Sequence, residues 1–146
     1  MIEIPASGVG LIGELAENFA FLIPVGTCAE PPASTWDVIL AVEFLHLGTH
    51  HRGRVLIALT ASASAEAARN ILGLDPDTEV DAESRRDAAG ELANIIAGNL
   101  LPHLFGEGEG FDLTQPSAAP DPDLTEGVFI DLGNGILGVS VEEDRP

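Results

Sequence analysis

Four residues on one stretch of this chain, Asp87, Glu91, Asn94 and Gly98, have the types and the spacing to do chemistry together. Separations of four, three and four residues stack them on a single side of an α-helix. The carboxylate of Glu91 accepts hydrogen bonds and pairs with cations, and the amide of Asn94 both donates and accepts. Gly90, Ala97 and Gly98 keep the surface beside them low. A glycine inside a helix costs about 1 kcal/mol against alanine, so two of them invite a reason. A carboxylate and an amide among small residues offer another protein a place to approach closely. Solvent exposure alone also puts polar residues on an outer helix face, and Glu-x-x-Asn arises by chance in roughly one chain in three of this length.

The element that must hold these residues is predicted to run from about Asp81 to Leu104, with acids in its first turn to suit the positive end of the helix dipole. Ala89, Leu92, Ile95, Ile96 and Leu100 gather on its opposite side and should face a sheet. Pro102 is expected to kink or end it. A first helix is predicted over Gly10 to Ile23, closed by Pro24, followed by a loop from Gly26 to Ser34. Trp36 to Leu47 and Arg54 to Leu59 read as strands joined by a turn through His50 and His51. Ser64 reads as the N-cap of a second helix reaching Leu72, with Gly73 as its stop. After a mobile connector from Gly106 to Gly110 come a strand over Phe111 to Gln115 and an exposed, flexible loop over Pro116 to Asp123. A hairpin of Gly127 to Asp131 and Ile136 to Val141 turns at Asn134-Gly135. The order predicts an α+β fold, an antiparallel sheet of hairpins with about three helices packed against it. The final hairpin is expected to leave an edge that a second copy could pair with.

At 146 residues and 45% hydrophobic content the chain is expected to form a single domain over 1–146 with one core. Twenty-four acidic residues face six arginines and no lysine, a net charge of −18. That balance opposes nucleic-acid phosphates and anionic membranes. No apolar run approaches the roughly 20 residues that span a bilayer. Glu3 stands where a secretory signal would carry a cation, and the lone Cys28 has no internal disulfide partner, so a cytoplasmic protein is expected.

Several apparent motifs fail on their physics. Gly8-Val-Gly10-Leu-Ile-Gly13 fits the dinucleotide-binding pattern but lacks the buried strand before it and the βαβ unit after it. Its glycines are expected to shape the approach to the first helix. His46, His50 and His51 cluster, yet two of them fall in the turn and should diverge into solvent, and only Glu43 is near as a further ligand. His103 reads as a packing residue. Asp75, Asp77 and Glu79 open like a calcium loop, but Val80 replaces the required glycine and Arg86 the closing glutamate. No metal site is expected.

The longer string Asp87-Ala-Ala-Gly-Glu-Leu-Ala-Asn-Ile-Ile-Ala-Gly-Asn99 resembles the signature helix of the CheC/CheX/FliY chemotaxis phosphatases. The strand Val55-Leu-Ile-Ala-Leu-Thr60, the Ala-rich helix to Leu72 and the Gly-Leu-Asp-Pro turn after it also resemble the order in CheX. The resemblance covers most of the chain and is closest over residues 81 to 105. It implies a phosphatase of the phosphoaspartate on a CheY-like response-regulator receiver domain. Asn94 would orient the attacking water and Glu91 would pair with the receiver's active-site lysine, with Asp87 and Gly98 at the partner-binding surface. The implied cofactor is none of its own, with Mg²⁺ supplied by the receiver, and a homodimer is a possible state in the family. The rival of another class is a non-catalytic docking module of the same fold that binds a receiver or a flagellar switch component. A small-ligand sensor is a weaker rival, for lack of convergent polar groups. Gly13-Glu-Leu-Ala16 repeats Gly90-Glu-Leu-Ala93 and hints at the family's internal repeat, although a chance repeat explains it equally well. Glu17 stands where Asn94 stands in the second copy, with Asn18 one residue out of place, so one site is expected.

Overall fold

Long runs of Val, Leu and Ile build the middle of the sheet, and much shorter segments complete it from far away in sequence. The computed structural model describes residues 2–106, 108, 110–119 and 122–144. Three helices, α1 (Ala6–Ala20), α2 (Ala61–Leu72) and α3 (Ala82–Phe105), accompany seven strands among these residues. The strands are β1 (Gly26–Cys28), β2 (Trp36–His46), β3 (Arg52–Thr60), β4 (Phe111–Leu113), β5 (Ser117–Ala118), β6 (Val128–Asp131) and β7 (Ile136–Glu143). They form one sheet in the order β1-β6-β7-β3-β2-β4, with β5 also on β2, and every pairing is antiparallel. This is the α+β arrangement expected from the sequence.

That order has a hidden symmetry. Exchanging α1, β1, β2 and β3 with α3, β4, β6 and β7 reverses the strand order and leaves it otherwise unchanged. Each half lends its short strand to the other: β1 pairs with β6, and β4 pairs with β2. The repeated Gly-Glu-Leu-Ala text falls on α1 and α3, the two helices that this exchange relates.

One face of the sheet, carrying Leu40, Val42, Phe44, Val55, Ile57, Leu59, Leu137, Val139 and Val141, packs against the helices. From α3 it receives Leu92, Ile96 and Leu100, each fully buried; burial of one such side chain stabilises by about 1.5–3 kcal/mol. A smaller cluster on the other face gathers Ala41, Leu56, Ala58, Leu124 and Phe129, half covered by Trp36. Trp36 stacks on Phe129 at 6.1 Å between ring centroids.

Several local expectations are corrected. The first helix begins at Ala6 and not Gly10, because Gly8 is a packing residue inside it. A Cβ there would lie 2.8 Å from the Ile4 side chain and 3.5 Å from that of Leu100. It ends at Ala20 rather than Ile23: Phe21 turns left-handed (φ 53°) and sends Leu22 into the core. The loop expected over Gly26 to Ser34 contains β1 and a short 3-10 turn, Ala33–Thr35. Ser64 is no cap; it is buried within α2, which starts directly from β3. The loop expected over Pro116 to Asp123 is pinned by β5 to Leu40 and Ala41, and the tip residues 120 and 121 lie outside the described residues. The connector expected to be mobile likewise includes residues 107 and 109, outside the described set. The final hairpin is not an edge, because β7 is paired on both sides and β6 is covered by β1.

α3 is anchored at its start. The Asp81 carboxylate accepts from the Ser84 backbone N–H at 2.8 Å and caps the helix. The Arg85 Nε donates to Asp37 on β2 at 2.9 Å, and the buried Ser64 hydroxyl donates to the same carboxylate at 2.7 Å. Asp37 thus ties three elements together. Arg85 holds its carboxyl below the ordinary 3.8, helped by Ser64. A depressed folded-state value means that stability from this group is present above pH of about 4 and is lost as the pH falls through the folded value. Asp37→Asn should lower stability at pH 7 by about 1 kcal/mol and flatten the loss of stability as the pH falls below about 4. Urea titrations across that range check this; an unchanged acid slope would show that Asp37 carries no such linkage.

Candidate functional site

On α3 the buried residues are Ala88, Ala89, Leu92, Ala93, Ile96, Ala97, Leu100 and Leu101. Four alanines among them let the helix sit close to its neighbours, since a methyl group adds little distance. What remains outward includes the stripe expected from the sequence: Asp87, Glu91, Asn94 and Gly98 are all exposed. The structure brings these four together on one helix face. Two wheel assignments are refined. Ile95 is only half-buried, at the border of the core side, and Ala97 is buried and does not contribute to the open surface.

The two polar side chains at the centre of the stripe are not held by the protein itself. No other described residue hydrogen-bonds the side chain of Glu91 or of Asn94. The neighbouring Asn99, by contrast, folds back to donate to the Ile95 carbonyl at 2.7 Å. An amide left to water is available to a partner.

The glycines of the helix have separate explanations. A Cβ at Gly90 would meet Pro116 at 3.9 Å, so Gly90 lies under the segment joining β4 to β5. A Cβ at Gly98 would meet nothing within 4 Å. No packing inside this chain therefore requires glycine at position 98. Four residues on, Pro102 continues the helix despite having no N–H. The Gly98 carbonyl consequently lacks its usual helical donor, on the exposed face where water or a partner reaches it. Pro102 does not end the helix, which runs through it to Phe105.

α1 presents the repeat with different chemistry. Gly13, Leu15 and Ala16 are buried like Leu92 and Ala93, and Glu14 and Glu17 are exposed like Glu91 and Asn94. Pro24 abuts Gly13 as Pro116 abuts Gly90. The difference is the amide, because Glu17 offers only acceptors where Asn94 offers both roles.

The histidines do not come together. His46 is buried between the rings of Phe105 and Phe111, at 5.3 and 4.8 Å, and is not turned to solvent. His50 is exposed in a left-handed turn, and His51 pairs with Glu143 at 2.5 Å. His103 is exposed and shares a 2.9 Å hydrogen bond with Ser7, so it links α3 to α1 and is not a packing residue. The glycines of Gly8 to Gly13 lie inside α1 and do not lead into it. Among the described residues no group of three or more His, Cys, Asp or Glu is placed to hold a metal ion, and no helix is long and apolar enough to cross a membrane. Sequence reasoning missed that Pro116 and the β4–β5 segment lie alongside the stripe; the Phe111–Leu113 alternation was the signal for the strand but not for its place.

A family model described as chemotaxis phosphatase CheX matches residues 41–126, more than half of the chain. No curated protein sequence matches it significantly. Among solved structures it is similar to a CheX–CheY–BeF3–Mg²⁺ complex from Borrelia burgdorferi, with 16% identity, TM-score 0.66, and coverage of 99% of this chain and 100% of that one. It is similar to the chemotaxis protein CheX from Desulfovibrio desulfuricans, with 19% identity, TM-score 0.71, and coverage of 98% and 100%. CheX from Vibrio vulnificus gives 19% identity, TM-score 0.64, and 97% coverage of both chains. At these identities the structures establish a shared fold.

Open space at position 98 makes a stability measurement informative. Gly98→Ala should raise the urea-unfolding free energy by up to about 1 kcal/mol, because the added methyl meets nothing. A loss of stability would mean that the chain itself needs the glycine.

Proposed function

Because the chain belongs to the family of the chemotaxis phosphatase CheX, we propose that it hydrolyses the phosphoaspartate of a CheY-like receiver domain. Residues 1–146 act as one CheX-like unit in the cytoplasm, with a single site on α3. The observation that carries this reading is the exposed pair Glu91 and Asn94 on one helix face, neither held by another described residue. The complex with CheY formed by the Borrelia burgdorferi relative supports the choice of partner.

An acyl phosphate is already reactive, so a catalyst gains most by placing water in line with the bond to be broken. The Asn94 amide oxygen accepts a hydrogen bond from that water and aims its lone pair at phosphorus. A bond from the water oxygen to phosphorus forms as the phosphorus–carboxylate bond breaks, and the proton leaves with the phosphate product. The Glu91 carboxylate pairs with the receiver's lysine and fixes the register that brings Asn94 into place. Asp87 lies one turn before Glu91 at the rim, and Gly98 lets the partner's surface come near. Asp87 and Glu91 are the only carboxylates of the stripe, too few to enclose a divalent ion, and the reaction's Mg²⁺ is assigned to the receiver. Glu17 lacks the amide on α1, so the helix with Glu14 and Glu17 is assigned no catalysis.

Asn94→Ala should fold normally and lose receiver dephosphorylation by on the order of 100-fold, measured as the lifetime of phosphorylated receivers from the same genome. Wild-type lifetimes with this variant would remove Asn94 from the mechanism. Glu91→Ala should raise the receiver concentration needed for half-maximal rate by about tenfold in the same titrations. If saturation is unchanged, the lysine pairing is wrong. Binding of a receiver by the wild type without any shortening of its phosphate lifetime would instead identify a docking module.

A further inference from the structure

α3 departs from good helix composition at Gly98 and at Pro102, and both departures bear on one peptide group. Each N–H of an α-helix closes onto the carbonyl four residues before it. Pro102 has no N–H and is the proline inside α3, so Gly98 holds the interior carbonyl with no donor four residues ahead. The proline ring also crowds that carbonyl and turns it outward. No backbone N–H from another described element hydrogen-bonds the Gly98 oxygen. The neighbouring Asn99 amide donates to the Ile95 carbonyl at 2.7 Å, and the His103 ring is engaged with Ser7 at 2.9 Å. Over the same residue the space is open: Gly98 is exposed, and a Cβ built there would meet nothing within 4 Å. Glycine lets another chain approach the backbone closely, and α3 carries it where a carbonyl is left open to that approach.

We propose that the Gly98 carbonyl is a hydrogen-bond acceptor for the receiver domain, and that Pro102 is the positioning residue that keeps it free. This deepens the phosphatase reading and rests on it for the partner's identity. Asn94 to Gly98 is one turn of helix, about 6 Å of rise, and Glu91 lies about 4.5 Å to the other side of Asn94. The receiver is held at two points that bracket the amide, its lysine at Glu91 and an N–H or O–H group at Gly98. A receiver seated on Asn94 takes water away from the next turn of the same stripe. A carbonyl stripped of water and given no donor is costly, so a partner that fits must bring one. The need for that donor separates receivers that present it from those that do not. In the free protein water serves the carbonyl, so the open acceptor costs little until docking.

In the full-length protein Pro102→Ala supplies the missing N–H and closes the helical bond onto Gly98. Urea unfolding should show the variant at least as stable as wild type, because alanine suits a helix better than proline. Titration with receivers activated by beryllofluoride and Mg²⁺ should show a Kd raised about fivefold, and KM for phosphorylated receivers should rise with it. Affinity then falls without loss of stability, which a merely structural proline does not produce. A direct readout uses protein carrying ¹³C-carbonyl glycine and ¹⁵N-asparagine, in which only the Gly98–Asn99 and Gly133–Asn134 bonds join the two labels. Receiver binding should move the Gly98 carbonyl resonance downfield in wild type and move it less in Pro102→Ala, with Gly133 as the internal control. Unchanged Kd in the variant, or a Gly98 resonance unmoved by a bound receiver, overturns the acceptor role and leaves the phosphatase reading standing. Binding without turnover by the wild type overturns the phosphatase reading, while the Gly98 resonance still decides the acceptor. A wild type that binds no receiver overturns both.

Discussion

The structure depends on how α3 is hemmed in. It packs against the sheet, α1 and α2, and it can do so because Ala88, Ala89, Ala93 and Ala97 stand where larger residues would hold its neighbours away. Interiors pack near crystal density, so a helix seated this closely has little freedom to roll. Its remaining surface is therefore set by its buried one. Asp37 and Arg85 fix its first turn, and the rings of Phe44, Phe105 and Phe111 fix its last. Asn94 lies between the two anchors, on backbone that need not reorganise when a partner arrives. That is the property the water-positioning role proposed for Asn94 requires.

The same reasoning is consistent with a symmetric fold that carries the single site proposed above. The two halves share their strand plan and their Gly-Glu-Leu-Ala text, so α1 is presented to solvent much as α3 is. Three of the four stripe positions differ, with Gly10 for Asp87, Glu17 for Asn94 and Phe21 for Gly98, and the amide is the group lost. α1 also ends early, at a left-handed Phe21, whereas α3 runs on to Phe105. Packing conserves the shape in both halves, because shape is what the shared core demands. Chemistry at the exposed positions is not constrained by that core and can be lost without unfolding anything.

Legibility in the sequence followed the range of the interactions involved. The strands Trp36–His46 and Arg52–Thr60, and the helix from Ala82, were readable because their apolar periodicity is written within a dozen or so consecutive residues. Three-residue β1 and two-residue β5 were not, because each exists only by pairing with residues far along the chain. Gly8 misled in the same way: glycine reads locally as a loop, while here it serves contact with Leu100. The place of Ser64 and the burial of His46 are likewise tertiary facts. At the site, the outward stripe of Glu91 and Asn94 was legible from helical geometry alone. Its flank was not, since nothing near Pro116 in sequence says that it lies over Gly90.

Charge sets how such a surface must work. Coulomb effects between exposed groups fade over a Debye length of about 8 Å at physiological salt. Beyond that distance this chain, with 24 acidic residues, offers only weak repulsion to an anionic partner. Repulsion of that kind discourages nucleic acid and anionic membranes without distinguishing one acidic protein from another. Discrimination then has to arise at contact, where the stripe presents two carboxylates and several uncharged groups. A carboxylate facing an anionic pocket is unfavourable unless a cation meets it, so in the proposed role Glu91 would reject partners without a suitably placed lysine as well as select those with one. Asn94 pays no such penalty, because an amide is neutral and satisfies donors and acceptors alike. An acidic protein can therefore insert Asn94 into an anionic site where a second carboxylate, such as Glu17 on α1, would be expelled.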